Sequence, residues 1–187
     1  MILGLDISTS VVGIALFNDD YKLFELTHIK FKKGTNLFVK LDEFIIFFEK
    51  NFPLTPITYI HIEEPLKKFK GKFSNAHTIQ ILTQMNAMIS GYLYRKLKIQ
   101  PVYFNVSKAR KMVFPELKFP EGANKKYIIW GAVMKVHPEI NWKYSAKTHM
   151  LMDENFDMCD AWVVGMAGIV SMIRMQKAKT KKDKTTA

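Results

Sequence analysis

The sequence contains a single cysteine, Cys159, among its 187 residues, so no disulfide can form within the chain. It also has no uninterrupted apolar run of the ~18 to 20 residues that span a membrane. The longest candidate, residues 161–173, is broken by glycine and serine and suits a buried helix. The first residues are strand-like rather than basic and then apolar, so we expect no signal peptide. These absences predict a soluble protein of a reducing, intracellular compartment.

Acidic residues are also few, with 17 Asp and Glu against 28 Lys and Arg, a net charge of +11 and a pI near 9.6. Such a surplus predicts a polyanionic partner, either nucleic acid or a membrane surface. No amphipathic membrane-surface helix stands out, which favours nucleic acid. Four acids nevertheless lie within eight residues: Asp153, Glu154, Asp157 and Asp160. A divalent cation is the simplest reason to concentrate acids in a basic protein.

The composition, 48% hydrophobic and 13% aromatic, is that of one globular domain. Apolar, β-branched runs predict three strands joined by short turns, at 2–7, 11–17 and 22–31. Two later strands, at 57–63 and 101–106, alternate with segments of helical period at 36–50, 76–97, 125–136 and 155–176. The order predicts an α/β fold: a mixed five-stranded sheet flanked by helices, with a three-strand antiparallel meander and parallel strands.

The predicted domain covers residues 1–176. Residues 177–187 include five lysines and predict a disordered basic tail that adds salt-sensitive DNA affinity. The long helix at 76–97 has an apolar stripe that includes Met85, Met88 and Tyr92. A core-facing stripe is the simpler interpretation of that period, and part of a dimer interface is the alternative.

Carboxylates stand at the ends of two apolar strands, as Asp6 and as Glu63. If these strands are adjacent and parallel, both acids lie at the carboxyl edge of the sheet, where α/β proteins bind ligands. Asp157 and Asp160 are three residues apart and share a helix face. Convergent carboxylates repel one another unless divalent cations neutralise them. Oxygen ligands without nearby His or Cys suit Mg²⁺ or Mn²⁺ rather than zinc, although Asp6 alone could simply cap a turn.

Four short motifs follow one another along the chain. They are GLDISTSVVG at 4–13, IEEP at 62–65, GANK at 122–125 and DMCDA at 157–161. Their order and spacing resemble the RuvC-type Holliday-junction resolvases of the RNase H-like superfamily, from residue 1 to about residue 175, and a phage or viral member would suit this compact, lysine-rich chain. The first motif also opens sugar-kinase and actin-like domains, but this chain is too short for the second lobe that those ATPases need.

The resemblance implies a crossover-junction endonuclease that acts in DNA recombination and repair. Asp6, Glu63, Asp157 and Asp160 would hold two Mg²⁺ or Mn²⁺ ions per active site at the scissile phosphate. Cleavage would leave a 5′-phosphate and a 3′-hydroxyl, and a homodimer would make paired nicks without a nucleotide cofactor or a membrane. Lys125 would neutralise charge on the phosphate, and Lys126 is an equally good cation at the next position.

This sequence departs from the family pattern at two places. Glu64 directly follows Glu63 at the end of the strand, and strand alternation predicts that only one of the two side chains reaches the metals. Glu63 occupies the family's position. Leu66 stands where bacterial members carry an aromatic residue that stacks on junction bases. Phe69 or Phe73 could replace it or could belong to the core. The full set of predicted DNA-binding residues is Lys67, Lys68, Phe69, Lys70, Lys72, Phe73, Lys108, Arg110, Lys111 and Lys126, with a short basic helix capped by Ser107.

Two other functions remain open at the level of the sequence. A nuclease of the same superfamily could act on flapped or otherwise branched DNA, or on an RNA–DNA hybrid, with unchanged chemistry. A non-catalytic junction-binding protein is the other alternative, and it would leave the acids at metal-ligand spacing unexplained.

Overall fold

A five-stranded mixed sheet lies at the centre of the computed structural model, which describes residues 1–53, 56–65 and 76–183. Its strands, in chain order, are β1 (Ile2–Ile7), β2 (Val11–Phe17), β3 (Leu23–Lys30), β4 (Tyr59–Glu63) and β5 (Val102–Phe104). They lie in the order β3-β2-β1-β4-β5. The first three form an antiparallel meander, and β4 pairs in parallel with both β1 and β5. The predicted α/β class, meander and parallel pairing are confirmed.

Five helices flank this sheet in the described part of the chain: α1 (Leu37–Asn51), α2 (Ala76–Leu97), α3 (Val106–Val113), α4 (Lys125–Val136) and α5 (Glu154–Asp183). Asparagine side chains cap three of them by accepting backbone N–H groups of the first turn, at Asn36, Asn105 and Asn124. The cap predicted at Ser107 is therefore wrong, because α3 begins one residue before that serine.

The two faces of the sheet build separate apolar cores. On one face, α1 and α2 pack against β1 with Phe44, Phe48 and Ile89 fully buried. On the other face, α5 crosses the strands and buries residues such as Trp162 beside Phe17. Met85 of α2 is fully buried in the first core, so the core-facing interpretation of that stripe holds for it.

Helix α5 is the longest element and extends beyond its predicted end at residue 176. It continues to Asp183, and lysine, which is frequent in the added segment, favours helix. By length and composition α5 could also cross a membrane, but 67% of its most apolar 18-residue segment is buried within the protein. This burial is typical of the core helix of a soluble domain. Residues 184–187 lie outside the described part of the chain.

Two strand glycines allow α5 to lie directly on the sheet. A Cβ at Gly13 would meet the carbonyl oxygen of Asp157 at 2.1 Å, and one at Gly4 would meet that of Ala161 at 2.5 Å. Both obstacles are helix backbone, which cannot rotate away as a flexible side chain can. The missing side chains therefore set the position of the first turns of α5 above β1 and β2.

We expect Gly13→Ala to destabilise the fold, because the added methyl group forces α5 off the sheet. Overpacking of this kind costs ~1–3 kcal/mol and sometimes more. Gly131→Ala is the matched control, since a Cβ there meets nothing within 4 Å and α4 continues around it. Alanine in a helix interior stabilises by ~0.5–1 kcal/mol relative to glycine. Urea unfolding measures both variants, and equal stabilities would contradict the close contact.

Candidate metal centre

The carboxyl ends of β1 and β4 bring the two strand acids side by side. Leu5 pairs with Ile62 in parallel register, so the next residues, Asp6 and Glu63, are neighbours at the same edge of the sheet. The start of α5 lies over this edge and contributes its two acids. These side chains share one cavity of about 320 Å³, whose lining residues are Asp6, Ile7, Ser8, Glu63, Glu64, Pro65, Leu82, Arg110, Lys126, Asp157 and Asp160.

Three of the acids are close enough to bind one ion together. One carboxylate oxygen from each of Asp6, Glu63 and Asp160 lies within 4.8 Å of the other two. Ligand oxygens of Mg²⁺ and Ca²⁺ sit ~2.0–2.6 Å from the metal, which makes such separations compatible with a shared cation. Asp157 borders the same cavity one helical turn before Asp160. The fold thus brings together the four acids selected from the sequence.

The electrostatics of the cluster are unfavourable for bare carboxylates. Burial, followed by the charges of Glu63 and Asp160, raises the pKa of Asp6 well above its usual value. Burial and the neighbouring Asp160 raise the pKa of Glu63 to about 8, and burial raises the pKa of Asp157 to about 6. A divalent cation would offset both the desolvation and the repulsion. The donor set, oxygen only, fits Mg²⁺ or Mn²⁺.

Arg110 of α3 lies at this site and pairs with one of its acids. Its Nη2 donates to both oxygens of Asp160, at 2.6 and 2.8 Å, and its Nε donates to Oδ1 at 3.2 Å. Only 14% of its side chain is exposed. Burial raises the pKa of Asp160, and Arg110 opposes that shift. Arg110 therefore faces the acids, and its predicted contact with DNA stays a prediction.

Lys126, not Lys125, is the lysine that the structure brings to the acids. Lys126 lines the cavity, and its charge lowers the pKa of Asp6, Glu63 and Asp157 against the effect of burial. Its Nζ lies 5.5 Å from the ring centroid of Phe156. Lys125 is absent from the lining. Consecutive helix residues point ~100° apart, so one of the two faces the cavity and the other does not.

The two glutamates of this edge differ in their relation to the acid cluster. Glu63 belongs to the described group of acids that could hold one ion, and Glu64 borders the cavity outside that group. That only Glu63 reaches a metal stays a prediction. Glu64 also borders an adjacent cavity of about 270 Å³, together with Tyr103 of β5.

The other predicted DNA-binding residues divide into two groups. Lys108 and Lys111 are exposed on α3. The loop set, namely Lys67, Lys68, Phe69, Lys70, Lys72 and Phe73, lies outside the described residues. Of the neighbouring acids, Asp153 is exposed, and Glu154 is buried with its Oε1 accepting from Lys30 Nζ at 2.6 Å. Glu154 therefore faces β3 rather than the acid cluster.

We expect Mg²⁺ to stabilise the protein more at pH 8 than at pH 6.5. The folded state holds the Glu63 proton up to a pKa of about 8, whereas an unfolded glutamate has already lost it above pH ~4.5. Without metal, the contribution of Glu63 to stability therefore falls as the pH rises through this window. Mg²⁺ at a hundredfold excess over its Kd adds about 2.7 kcal/mol, and protons compete with it at the lower pH.

Thermal unfolding in EDTA and in Mg²⁺ measures this effect, with Glu63→Gln as the comparison. The variant should lose most of both the pH slope and the Mg²⁺ shift. Equal Mg²⁺ shifts in the parent and in Glu63→Gln would contradict a metal site at this cluster.

Known proteins match this chain in structure but not in sequence. No model of a protein family matches it, and no curated protein does. A structure of Thermus thermophilus RuvC with a Holliday junction substrate aligns over 93% of this chain and 94% of that one, with 7% identity and a TM-score of 0.61. A second structure of the same protein gives 9% identity over 94% and 96%, with a TM-score of 0.59.

A viral protein has a similar fold. The fowlpox virus resolvase, solved with its substrate Holliday junction DNA, aligns over 91% of this chain and 99% of that one, with 13% identity and a TM-score of 0.50. The chain therefore has the RuvC-like RNase H fold that its four motifs predict. At these identities the likeness concerns the fold, and the chemistry depends on the residues of the site.

Proposed function

We propose that this protein is a divalent-metal-dependent endonuclease that resolves four-way DNA junctions. The observation that carries the proposal is the convergence of carboxylate oxygens from Asp6, Glu63 and Asp160 within 4.8 Å of one another. Two cationic side chains, Arg110 and Lys126, border the same cavity. The net charge of +11 suits a polyanionic substrate, and two of the three similar structures above were solved with Holliday junction DNA.

The acids and the cations have different roles in the reaction. Asp6, Glu63, Asp157 and Asp160 would hold two Mg²⁺ or Mn²⁺ ions, which supply an activated water and Lewis-acid stabilisation of the phosphate. Lys126 neutralises negative charge that develops on the phosphate oxygens. The oxygen of this water would bond to phosphorus as the bond to the 3′ oxygen breaks; the water would lose a proton to solvent, and the 3′ oxygen would take one up from solvent. The products are a 5′-phosphate and a 3′-hydroxyl at a nick.

Arg110 orients one ligand of this site. The bonds to both oxygens of Asp160 fix that carboxylate and keep its charge compensated while no substrate is bound. A guanidinium has five N–H donors, and Asp160 engages those on Nε and Nη2. Nη1 can then donate to a phosphate oxygen of the bound strand.

The two-fold symmetry of the proposed substrate suggests that two subunits act together. A four-way junction has two-fold symmetry, and two opposed nicks are most simply made by a C2 dimer with one site per subunit. We therefore propose a homodimer, formed partly through α2, that acts in intracellular DNA recombination and repair.

A panel of matched synthetic substrates tests the proposal: a four-way junction, a flap and an RNA–DNA hybrid, each with Mg²⁺ or with EDTA. We expect cleavage of the junction at least about tenfold faster than that of the others, and no cleavage in EDTA. Faster cleavage of the flap or the hybrid would assign the protein to a different nuclease of the same fold. Tight junction binding without cleavage in Mg²⁺ or Mn²⁺ would instead indicate a non-catalytic junction-binding protein.

A further inference from the structure

The connection between α4 and α5 contains a small hairpin, residues 143–152, that the proposed function does not use. Tyr144 and Leu151 form an antiparallel β-bridge within it. The backbone N–H of Met152 donates to the carbonyl of Lys143 at 3.0 Å, and that of Ser145 donates to the carbonyl of Met150 at 2.8 Å. The hairpin is thus a defined structure rather than an irregular loop.

One fully buried side chain fixes the hairpin to α5. The Nδ2 of Asn155 donates to the carbonyls of Lys143, at 2.7 Å, and Met152, at 2.8 Å. Its Oδ1 accepts the backbone N–H of Lys143 at 2.9 Å. A buried amide satisfied in this way holds both ends of the hairpin together. Asn155 precedes Asp157 by two residues, so the hairpin is attached to the same helical turn as the metal centre.

A row of paired residues places the hairpin beside the acids. Asp6 pairs with Gly13, and Gly13 pairs with His28, across β1, β2 and β3. Neighbouring strands are ~4.8 Å apart, so His28 lies ~10 Å from Asp6 along this row. The Nζ of Lys143 is 3.3 Å from the Nε2 of His28. The base of the hairpin therefore lies on the β3 side of the site, opposite the side where Glu63 lies.

The composition of the hairpin is that of a phosphate-binding surface. It contains Lys143, Lys147 and His149, and no acidic residue. Tyr144 is 51% exposed and Met150 is 61% exposed, so these side chains add little to the core. Lysines beside an exposed tyrosine are suited to the sugar–phosphate backbone of DNA, which they position without reading sequence.

We propose that the 143–152 hairpin binds the duplex arm that leaves the metal centre on the β3 side. Lys147 and Lys143 contact its phosphates, and Tyr144 packs against its backbone. The inference rests on the proposed function, since it assigns one arm of the branched substrate to a surface of this chain. The hairpin contributes affinity and arm orientation, whereas the acids carry out the cleavage.

The first experiment measures how junction binding depends on salt concentration. In EDTA, Lys147→Ala should weaken junction binding about three- to tenfold and reduce the slope of log Kd against log salt by about 0.9, the value for one lost phosphate contact. The matched control is Lys22→Ala, which removes an exposed lysine from the β2–β3 turn at the opposite end of the sheet. That control should stay within about twofold of the parent in affinity and should keep the parent's cleavage rate in Mg²⁺.

The second experiment uses a cleavage probe attached to the hairpin. The native Cys159 is buried, so the thiol of a Lys147→Cys variant is the one that reacts with an iron-chelate label. We expect hydroxyl radicals from this label to cut one junction arm close to the enzyme's own nick, and a Lys22→Cys label to leave the DNA intact.

The outcomes separate this inference from the proposed function. A parent that cuts junctions, with a Lys147→Ala variant of unchanged affinity and slope and no tethered cleavage, would overturn the hairpin proposal alone. A Lys147→Ala variant that changes the oligomeric state by light scattering would likewise overturn it, because the hairpin would then be a subunit contact. A parent that neither binds nor cuts branched DNA would overturn both.

Discussion

An Asp6→Asn protein will fold, bind a four-way junction at least as tightly as the parent, and fail to cut it. Asp6 is the acid most enclosed by the others: its pKa is raised first by burial and then by Glu63, Asp160 and Asp157. An amide of the same shape removes one negative charge that faces the phosphate, which favours binding. It also removes a metal ligand, which should lower the cleavage rate by roughly a thousandfold or more.

The control for Asp6→Asn is Asp20→Asn, which makes the same chemical change in an exposed turn at the other end of the sheet. It should cut at the parent's rate. Single-turnover cleavage and anisotropy with the same labelled junction measure rate and affinity together. Loss of junction binding in a folded Asp6→Asn protein would show that Asp6 supports the structure rather than the chemistry.

The second large effect concerns the acids of α5. We expect Asp157→Asn and Asp160→Asn each to be nearly inactive in Mg²⁺, whereas Asp153→Asn and Glu154→Gln should cut within about tenfold of the parent. Asp157 and Asp160 line the cavity, and Asp153 is exposed outside it. The carboxylate of Glu154 accepts a hydrogen bond from the side chain of Lys30. Asp160→Asn also leaves the guanidinium of Arg110 without its anionic partner, so its folding should be checked by circular dichroism.

The same four variants can contradict the placement of the site. A folded but inactive Asp153→Asn protein beside an active Asp157→Asn protein would show that the metal ligands lie one helical turn earlier in the chain. Equal activity of all four variants would show that α5 contributes no ligand.

The parts of the site that could be predicted from sequence depend on short-range patterns. Apolar, β-branched runs identify the strands, and a crossover makes β1 and β4 parallel, which places Asp6 and Glu63 at one edge. A spacing of three places Asp157 and Asp160 on one helix face. Each of these inferences needs only a local rule and one topological rule.

The parts that could not be predicted depend on contacts between distant segments. Arg110 meets Asp160 across 50 residues, and nothing in the sequence around α3 distinguishes it from Lys108 or Lys111. The choice between Lys125 and Lys126 depends on how α4 is rotated about its axis. Glu64 borders the cavity just beyond the last residue of β4, where strand alternation no longer predicts side-chain direction. The hairpin depends on Asn155, whose local sequence resembles that of an ordinary helix start.

The chemistry of the nick tests the central claim most directly. A 5′-labelled four-way junction is incubated with the parent or with Asp6→Asn, in Mg²⁺ or in EDTA, and the products are then treated with DNA ligase. The account predicts paired nicks on opposed strands that ligase reseals, made only by the parent and only with the metal. A junction that the folded parent binds but leaves intact in both Mg²⁺ and Mn²⁺ would contradict a catalytic metal centre at Asp6, Glu63, Asp157 and Asp160.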